Sequence, residues 1–225
     1  MLAHPGRPSP GLLVRLCQTR LRSDVPRSKR RAALTRYTPE EYLALERNAE
    51  FKNEYIDGRI IAMTGASPEH ADVVLNVGSE LRARLRPRGC RVFVNDMRVQ
   101  VAHGAGYMYP DVVAVCEKAA FLDTRPQTLL NPSLVIEVLS NSSESFDRAA
   151  KFAAYRGVES LSEYVLIDSR AISVERYVRH GEFWMFSAES GLDATLELSS
   201  VGCTVTLREI YADVQFPGAD ADEGG

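Results

Sequence analysis

The stretch Tyr109-Pro110-Asp111-Val112-Val113-Ala114-Val115-Cys116 is answered further along by Leu134-Val135-Ile136-Glu137-Val138-Leu139. Both runs are short, β-branched and almost wholly apolar. That is the pattern of strands covered on both faces, although a buried helical turn shares it. One acid opens the first run and one interrupts the second. A lone ionised carboxylate in such a strand costs on the order of several kcal/mol unless something pairs it. Pro110 fixes φ and removes a donor, which suits a strand start, so Asp111 is expected at the strand mouth, open to solvent or a metal. Glu137 falls mid-strand, with Val135 and Leu139 on its face. Two acids on adjacent strands frame a site for Mg²⁺, which takes hard oxygen ligands and keeps several waters. Without a cation the two would repel, raising one pKa. The competing expectation pairs Glu137 with a buried arginine such as Arg98.

Working outward, Thr38-Pro39-Glu40-Glu41 reads as the capped start of a short helix that buries Tyr42, Leu43 and Leu45. Residues 54–61 read as a hairpin around Asp57-Gly58. Ser67-Pro68 opens the longest helix, with Ala71, Val74, Leu75, Gly78, Leu81 and Leu85 on one face and Pro87 and Gly89 at its end. Residues 91–101 alternate as one half-buried strand, and 117–133 read as a loop. A third helix is expected to run to about Arg156, with Phe146, Ala149, Ala150 and Ala153 inward. Five strands follow, at 163–168, 172–178, 182–187, 195–198 and 204–207. The fold class is therefore α/β (α+β): a central mixed sheet flanked by helices, with an N-terminal hairpin and a C-terminal strand meander.

At 225 residues, 45% hydrophobic and 25% charged, the chain is long enough for one ordinary domain with a sizeable core. No window approaches the ~20 apolar residues of a membrane span. The four cysteines lie far apart and form no Cys-x-x-Cys pair, so neither zinc nor a disulfide framework is expected. A reduced cytoplasm is the simplest compartment. The net charge of −3 hides an asymmetry: residues 1–36 carry nine basic residues and one acid, leaving 18 basic and 29 acidic residues in the rest. The leader is thus +8 and the body −11. The division expected is a disordered basic leader over 1–36, a single domain over 37–216 and a disordered tail over 217–225. A basic leader can touch nucleic acid, or it is an unstructured extension.

Lys151 stands four residues after Asp147 on the third expected helix. Such pairs usually lie on the surface. Turned towards Asp111 and Glu137, the ammonium would instead orient an attacking water or offset charge developing on phosphorus. Glu54 is the acid placed to join them from the N-terminal side, unless it is an exposed strand residue. His70 reads as a residue of the helix start or as a base. Phosphate-binding loops, dinucleotide fingerprints, nucleophile elbows and His-Glu-x-x-His zinc motifs are all missing.

Several segments occur in an ordered series: Tyr-Ile-Asp-Gly at 55–58, Ser-Pro-Glu-His at 67–70, Tyr-Pro-Asp-Val-Val at 109–113, Leu-Val-Ile-Glu-Val-Leu-Ser at 134–140, Asp147 with Lys151 and Tyr155, and Glu-Tyr-Val-Leu-Ile-Asp at 163–168. In that order they resemble the Uma-two family of restriction-endonuclease-like proteins, over roughly residues 37–216. That family is similar to the PD-(D/E)XK nuclease superfamily. The resemblance implies Mg²⁺-dependent hydrolysis of DNA phosphodiesters, with Mn²⁺ as a substitute and a homodimer as the simplest way to cut a duplex. Carried over by position, Asp111 and Glu137 would be the metal-binding acids and, with Lys151 and Glu54, the catalytic set. The superfamily lysine belongs two residues after the second acid, where this chain has Leu139. The family's lysine on the following helix fits Lys151 instead. The departure at Leu139 and the acidic body motivate an alternative, a non-catalytic nucleic-acid-binding or interaction module that retains the fold. The arginines at 82, 84, 86, 88 and 91 are candidates for a local basic footprint.

Overall fold

A computed structural model of the chain describes residues 36–63, 65–122, 128–141 and 143–216. Apart from Arg36, the expected leader lies outside the described residues, as does the tail. Helix α1 (Pro39–Glu46) starts at Thr38, whose hydroxyl accepts from Glu41 N while the Glu41 carboxylate accepts from Thr38 N at 2.7 Å. It buries Tyr42, whereas Leu45 is turned outward. Strands β1 (Asn53–Ile56) and β2 (Arg59–Ala62) pair around Asp57 and Gly58. Both turn residues have positive φ, 49° and 78°, as a two-residue turn matched to strand twist requires.

Helix α2 (Pro68–Leu85) buries Val73, Val74, Val77, Gly78, Leu81 and Leu85. Ala71 and Leu75, expected on that face, are exposed: the inward stripe runs through the valines at 73 and 77 instead. The helix ends in a 3₁₀ turn over Arg86–Arg88, with Gly89 left-handed.

Residues 91–101 do not form one strand. Asn95 is left-handed at φ 59°, and the chain breaks into β3 (Arg91–Val94) and β4 (Arg98–Val101), which enter different sheets. The regular alternation concealed this kink, since Asn tolerates positive φ without a glycine to announce it. After a 3₁₀ turn over Ala102–Gly104, β5 (Gly106–Met108) and β6 (Val112–Val115) follow. The expected loop contains a short strand, β7 (Thr128–Leu129), which pairs in parallel with β4. Next come β8 (Leu134–Leu139), α3 (Glu144–Phe146), a π-helical turn over Asp147–Lys151, and α4 (Phe152–Tyr155). The chain closes with β9 (Glu163–Asp168), β10 (Ser173–His180), β11 (Phe183–Ser190), β12 (Thr195–Leu198), β13 (Cys203–Thr206) and α5 (Leu207–Ile210). Helix α5 takes over where the last strand was expected to continue, because Thr206 and Glu209 form a capping box.

The larger sheet has the order β11-β10-β9-β8-β6-β3 and is mixed. Only β8 and β9 run parallel within it, joined by the crossover through α3 and α4. The smaller sheet has the order β2-β1-β5-β4-β7, and β12 and β13 form a separate hairpin. Strand β8 is covered on both faces, as its apolar run predicts. Leu134, Ile136 and Val138 pack with α2, whereas Val135 and Leu139 pack with Ala154 and Tyr155 of α4.

Cys90 and Cys116 are joined, against the expectation of no disulfide. They are 26 residues apart in sequence, but the antiparallel pairing of β3 with β6, Arg91 opposite Val115, brings their Cα atoms to 4.0 Å. Sequence spacing alone carried no trace of that register.

Candidate active site

Three parts of the fold converge on a cavity of about 560 Å³. The smaller sheet supplies Glu54 from β1, the larger sheet supplies Asp111 and Glu137, and the π turn supplies Asp147 and Lys151. Val112 lies opposite Ile136 in the β6–β8 pairing. One further step along the antiparallel ladder sets Asp111 against Glu137. Asp111 Oδ2 accepts from the backbone N–H of Val138 at 2.7 Å and lies 3.4 Å from His70 Nε2 at the start of α2. Glu54 Oε1 accepts from Tyr109 N at 3.1 Å.

Lys151 ties the cluster together. Its ammonium lies 3.0 Å from Glu54 Oε1, 3.1 Å from Asp147 Oδ1 and 3.3 Å from Glu137 Oε1. The Tyr155 hydroxyl donates to the same Glu137 oxygen at 3.2 Å. The π turn replaces the regular helix expected here. Asp147 and Lys151 are buried, whereas Ala149 and Ala153, expected inward, are exposed. Wide turns of this kind are rare and recur at functional sites. Burial also overturns the expectation of a surface pair: the Lys151 side chain is only 8% exposed and that of Asp147 2%.

Arg98 is not the partner of Glu137. It belongs to β4 in the other sheet, where its guanidinium donates to Thr128 Oγ1 at 2.7 and 2.9 Å. Leu139 is buried on the α4 side of β8. A cation near Glu137 therefore arrives from the π turn, across the same face that Leu139 fills.

Glu54, Glu137 and Asp147 contact the Lys151 ammonium and Asp111 lines the same cavity, leaving these five groups a formal −3 with His70 neutral. Burial pushes the Glu137 carboxyl well above its ordinary range; Lys151 counteracts this, and Asp147, Asp111 and Glu54 add to it. Glu54 and Asp147 are raised for the same first reason, with Lys151 opposing. For Lys151 burial works against the charge, but Glu137, Glu54 and Asp147 outweigh it and hold the amine well above an ordinary lysine. The Tyr155 hydroxyl is raised well above its usual value by burial and by Glu137. At His70 burial disfavours the cation, yet the bond to Asp111 prevails and raises its pKa. Its Nδ1 is buried with no hydrogen-bond partner.

Of the residues singled out from sequence, Asp111, Glu137, Lys151, Glu54 and His70 all line this cavity. Asp147 entered only as the companion of Lys151, and Tyr155 only as part of a motif. The available signal was their spacing of four: 147, 151 and 155 repeat on one helix face. The arginines from 82 to 91 sit at the opposite end of α2 from His70. Arg84 pairs there with Glu80 and Glu209, and Arg88 donates to Gly202 O. Among the described residues, no three His, Cys, Asp or Glu side chains are grouped closely enough to hold a metal by themselves.

The family described as "Uma2: Putative restriction endonuclease" matches residues 39–208. The chain belongs to the Uma2 family. "Uncharacterized protein sll1609" of Synechocystis sp. is 39% identical over 163 residues, spanning 72% of this chain and 92% of its own length. "Uncharacterized protein slr1290" of the same organism is 31% identical over 186 residues, spanning 82% and 96%. A crystal structure described as "a putative nuclease belonging to DUF820 from Anabaena variabilis" superposes with a TM-score of 0.63 at 18% identity, covering 77% of this chain and 97% of that one. The fold is thus the restriction-endonuclease-like one, and the family's description points to a nuclease. Among the described residues, no helix is long and apolar enough to cross a membrane.

Proposed function

We propose that the chain is a Mg²⁺-dependent endonuclease that hydrolyses phosphodiester bonds of DNA. The observation that carries this reading is the charge imbalance of a concave, partly buried site: Glu54, Asp111, Glu137 and Asp147 face one buried ammonium, that of Lys151, while the other lysine of the lining, Lys52, is exposed and paired with Asp96. A buried surplus of negative charge calls for protonation or for a second cation. The donors are hard carboxylate oxygens, and Mg²⁺ characteristically takes one or two of these and completes its shell with water. Asp111 and Glu137, neighbours across the β6–β8 ladder, would hold it. The residues present therefore fit the ion in charge, in donor type and in number. Bound there, it would supply a Lewis acid for a phosphoryl oxygen and lower the pKa of a coordinated water.

The remaining steps fall to the chain's own side chains. Lys151 keeps its proton and orients Glu54 and Glu137 through direct contact. Its ammonium also offsets negative charge that develops on the phosphoryl group. Tyr155 and Lys151 both hold Oε1 of Glu137. Glu54 is held by Tyr109 N and completes the acidic wall. Val138 N fixes Asp111 in the same way.

Purified protein with Mg²⁺ or Mn²⁺ is expected to nick or linearise supercoiled plasmid, and Asp111→Ala and Glu137→Ala to lose this while staying folded. Equal cleavage by all three proteins would refute the assignment. Salt-dependent DNA binding without cleavage by wild type would favour the non-catalytic module.

A further inference from the structure

The long outer edge of the larger sheet is unlike its other margins. Strand β11 spans eight residues, Phe-Trp-Met-Phe-Ser-Ala-Glu-Ser, and pairs with β10 along its whole length without a bulge. Among the described residues, its other side has no partner strand. Natural sheets protect such edges by shortness, lysine, proline or bulges. The opposite edge, β3, is four residues long and begins with arginine, and β7, an edge of the smaller sheet, has only two residues. Strand β11 has none of these devices, and its one charged residue, Glu189, is near its end. Phe183 is 78% exposed, Met185 59% and Phe186 58%.

These side chains also occupy both faces. Phe186 lies opposite Tyr177, and Trp184 opposite Arg179. Tyr177 and Trp184 both pack against Phe152 of α4, Trp184 edge-on, which puts Trp184 and Phe186 on the α4 face. By alternation, Phe183 and Met185 are on the other. An edge that is apolar above and below is suited to a position inside a sheet.

We propose that β11 pairs antiparallel with β11 of a second copy of this chain, across a two-fold axis at Met185. The choice of a second copy rests on self-complementarity. In an antiparallel pair, directly opposed side chains share a face, so a two-fold must pass through a residue and not between two. An axis at Met185 sets Trp184 opposite Phe186 of the other copy, twice, on the α4 face. On the other face it sets Met185 against Met185 and Phe183 against Ser187. Glu189 then meets Gly181, and Glu182 meets Ala188, so no like charges are opposed. Aromatic cross-strand pairs of this kind add to the ladder hydrogen bonds. The result is a continuous twelve-stranded sheet with an isologous interface. Strand β11 runs in the same direction as β8. The two cavities therefore open at opposite ends of the joined sheet, and each faces its own stretch of substrate.

Sedimentation velocity on the full chain tests this. Wild type is expected near 50 kDa, about twice the 24.9 kDa of one chain. Met185→Glu places two carboxylates on the axis and should weaken association at least tenfold. Leu75→Glu, on the exposed side of α2, should leave the dimer intact. Met185→Cys should cross-link to its own copy under mild oxidation, since self-opposed positions bring Cβ atoms about 4.5–5.5 Å apart; Phe183→Cys should not. A wild-type monomer throughout the concentration range would overturn the proposal. So would a dimer that survives Met185→Glu, or cross-linking through Phe183→Cys in preference to Met185→Cys. None of these readouts depends on cleavage.

Discussion

Replacing Lys151 with methionine removes the buried ammonium that three carboxylates contact and keeps most of the side-chain volume. The ammonium makes three contacts of 3.0–3.3 Å. At an effective dielectric constant of about 20, each is a gross attraction of roughly 5 kcal/mol, most of it offset by desolvation. Removing one partner of a buried ion pair typically costs about 3–5 kcal/mol. For a domain of this size that lowers Tm by about 6–20 °C. The loss is expected to depend on pH. The Glu54, Glu137 and Asp147 carboxyls already titrate above their unfolded values because of burial, and Lys151 restrains them. Without it they rise further. An acid whose folded pKa is raised weakens the fold progressively as pH climbs from its unfolded value, about 4, towards its folded one. The variant should therefore be least stable near neutrality and recover as pH falls towards 5. Wild-type Lys151 is raised in its own right, so its contribution persists up to about pH 10.4 and contributes no slope in this window. Thermal unfolding of both proteins in chelator, at pH 7.5 and pH 5, reads the difference directly. A loss under about 1 kcal/mol, or an equal loss at both pH values, would refute the role of Lys151 as the neutraliser of this cluster.

Three further outcomes follow from the same structure. Glu137→Gln removes a fully buried charge and keeps the hydrogen bond from Tyr155, so it should abolish cleavage yet raise the Tm of the metal-free protein and remove any stabilisation by added Mg²⁺. Gly106→Ala should cost about 1–3 kcal/mol in urea unfolding, because a Cβ there would lie 2.7 Å from Val101 Cγ2 and 3.2 Å from Tyr55 O. Asp168 is lowered in spite of burial, through its bonds to Arg170, and Glu144 is lowered by Arg170 and Arg148. Their contribution is complete above their unfolded values, about pH 4, and lost as pH falls through the depressed folded ones; Arg170→Gln should shift the acid-unfolding midpoint upward in circular dichroism.

The apolar runs at 109–116 and 134–139 revealed the sheet centre because strands covered on both faces need no alternation, and Asp111 and Glu137 stood out as the charges such strands cannot hold alone. The helix caps at Thr38 and Ser67 and the Asp57-Gly58 turn were equally legible, being local chemistry. What escaped was set by tertiary context. Asn95 carries no local mark of the bend that separates β3 from β4. The inward face of 144–155 was read from alanines at regular helical spacing, but the π turn shifts the stripe to Asp147 and Lys151. The pairing of Cys90 with Cys116 depends on strand register, which short-range pattern does not encode. The Leu139 departure was visible from the motif, yet only the packing of the turn against β8 brings Lys151 into contact with Glu137.

That kink at Asn95 has a wider consequence. Asn95 N bonds to Asp111 O at 2.8 Å, so the point where the chain passes from one sheet to the other is fastened to the backbone of a site residue. Glu54 belongs to one sheet, Asp111 and Glu137 to the other, and Lys151 bridges them. No partly folded chain possesses this constellation. The site proposed above would thus come into being only when both sheets have formed and the turn carrying Lys151 has packed between them.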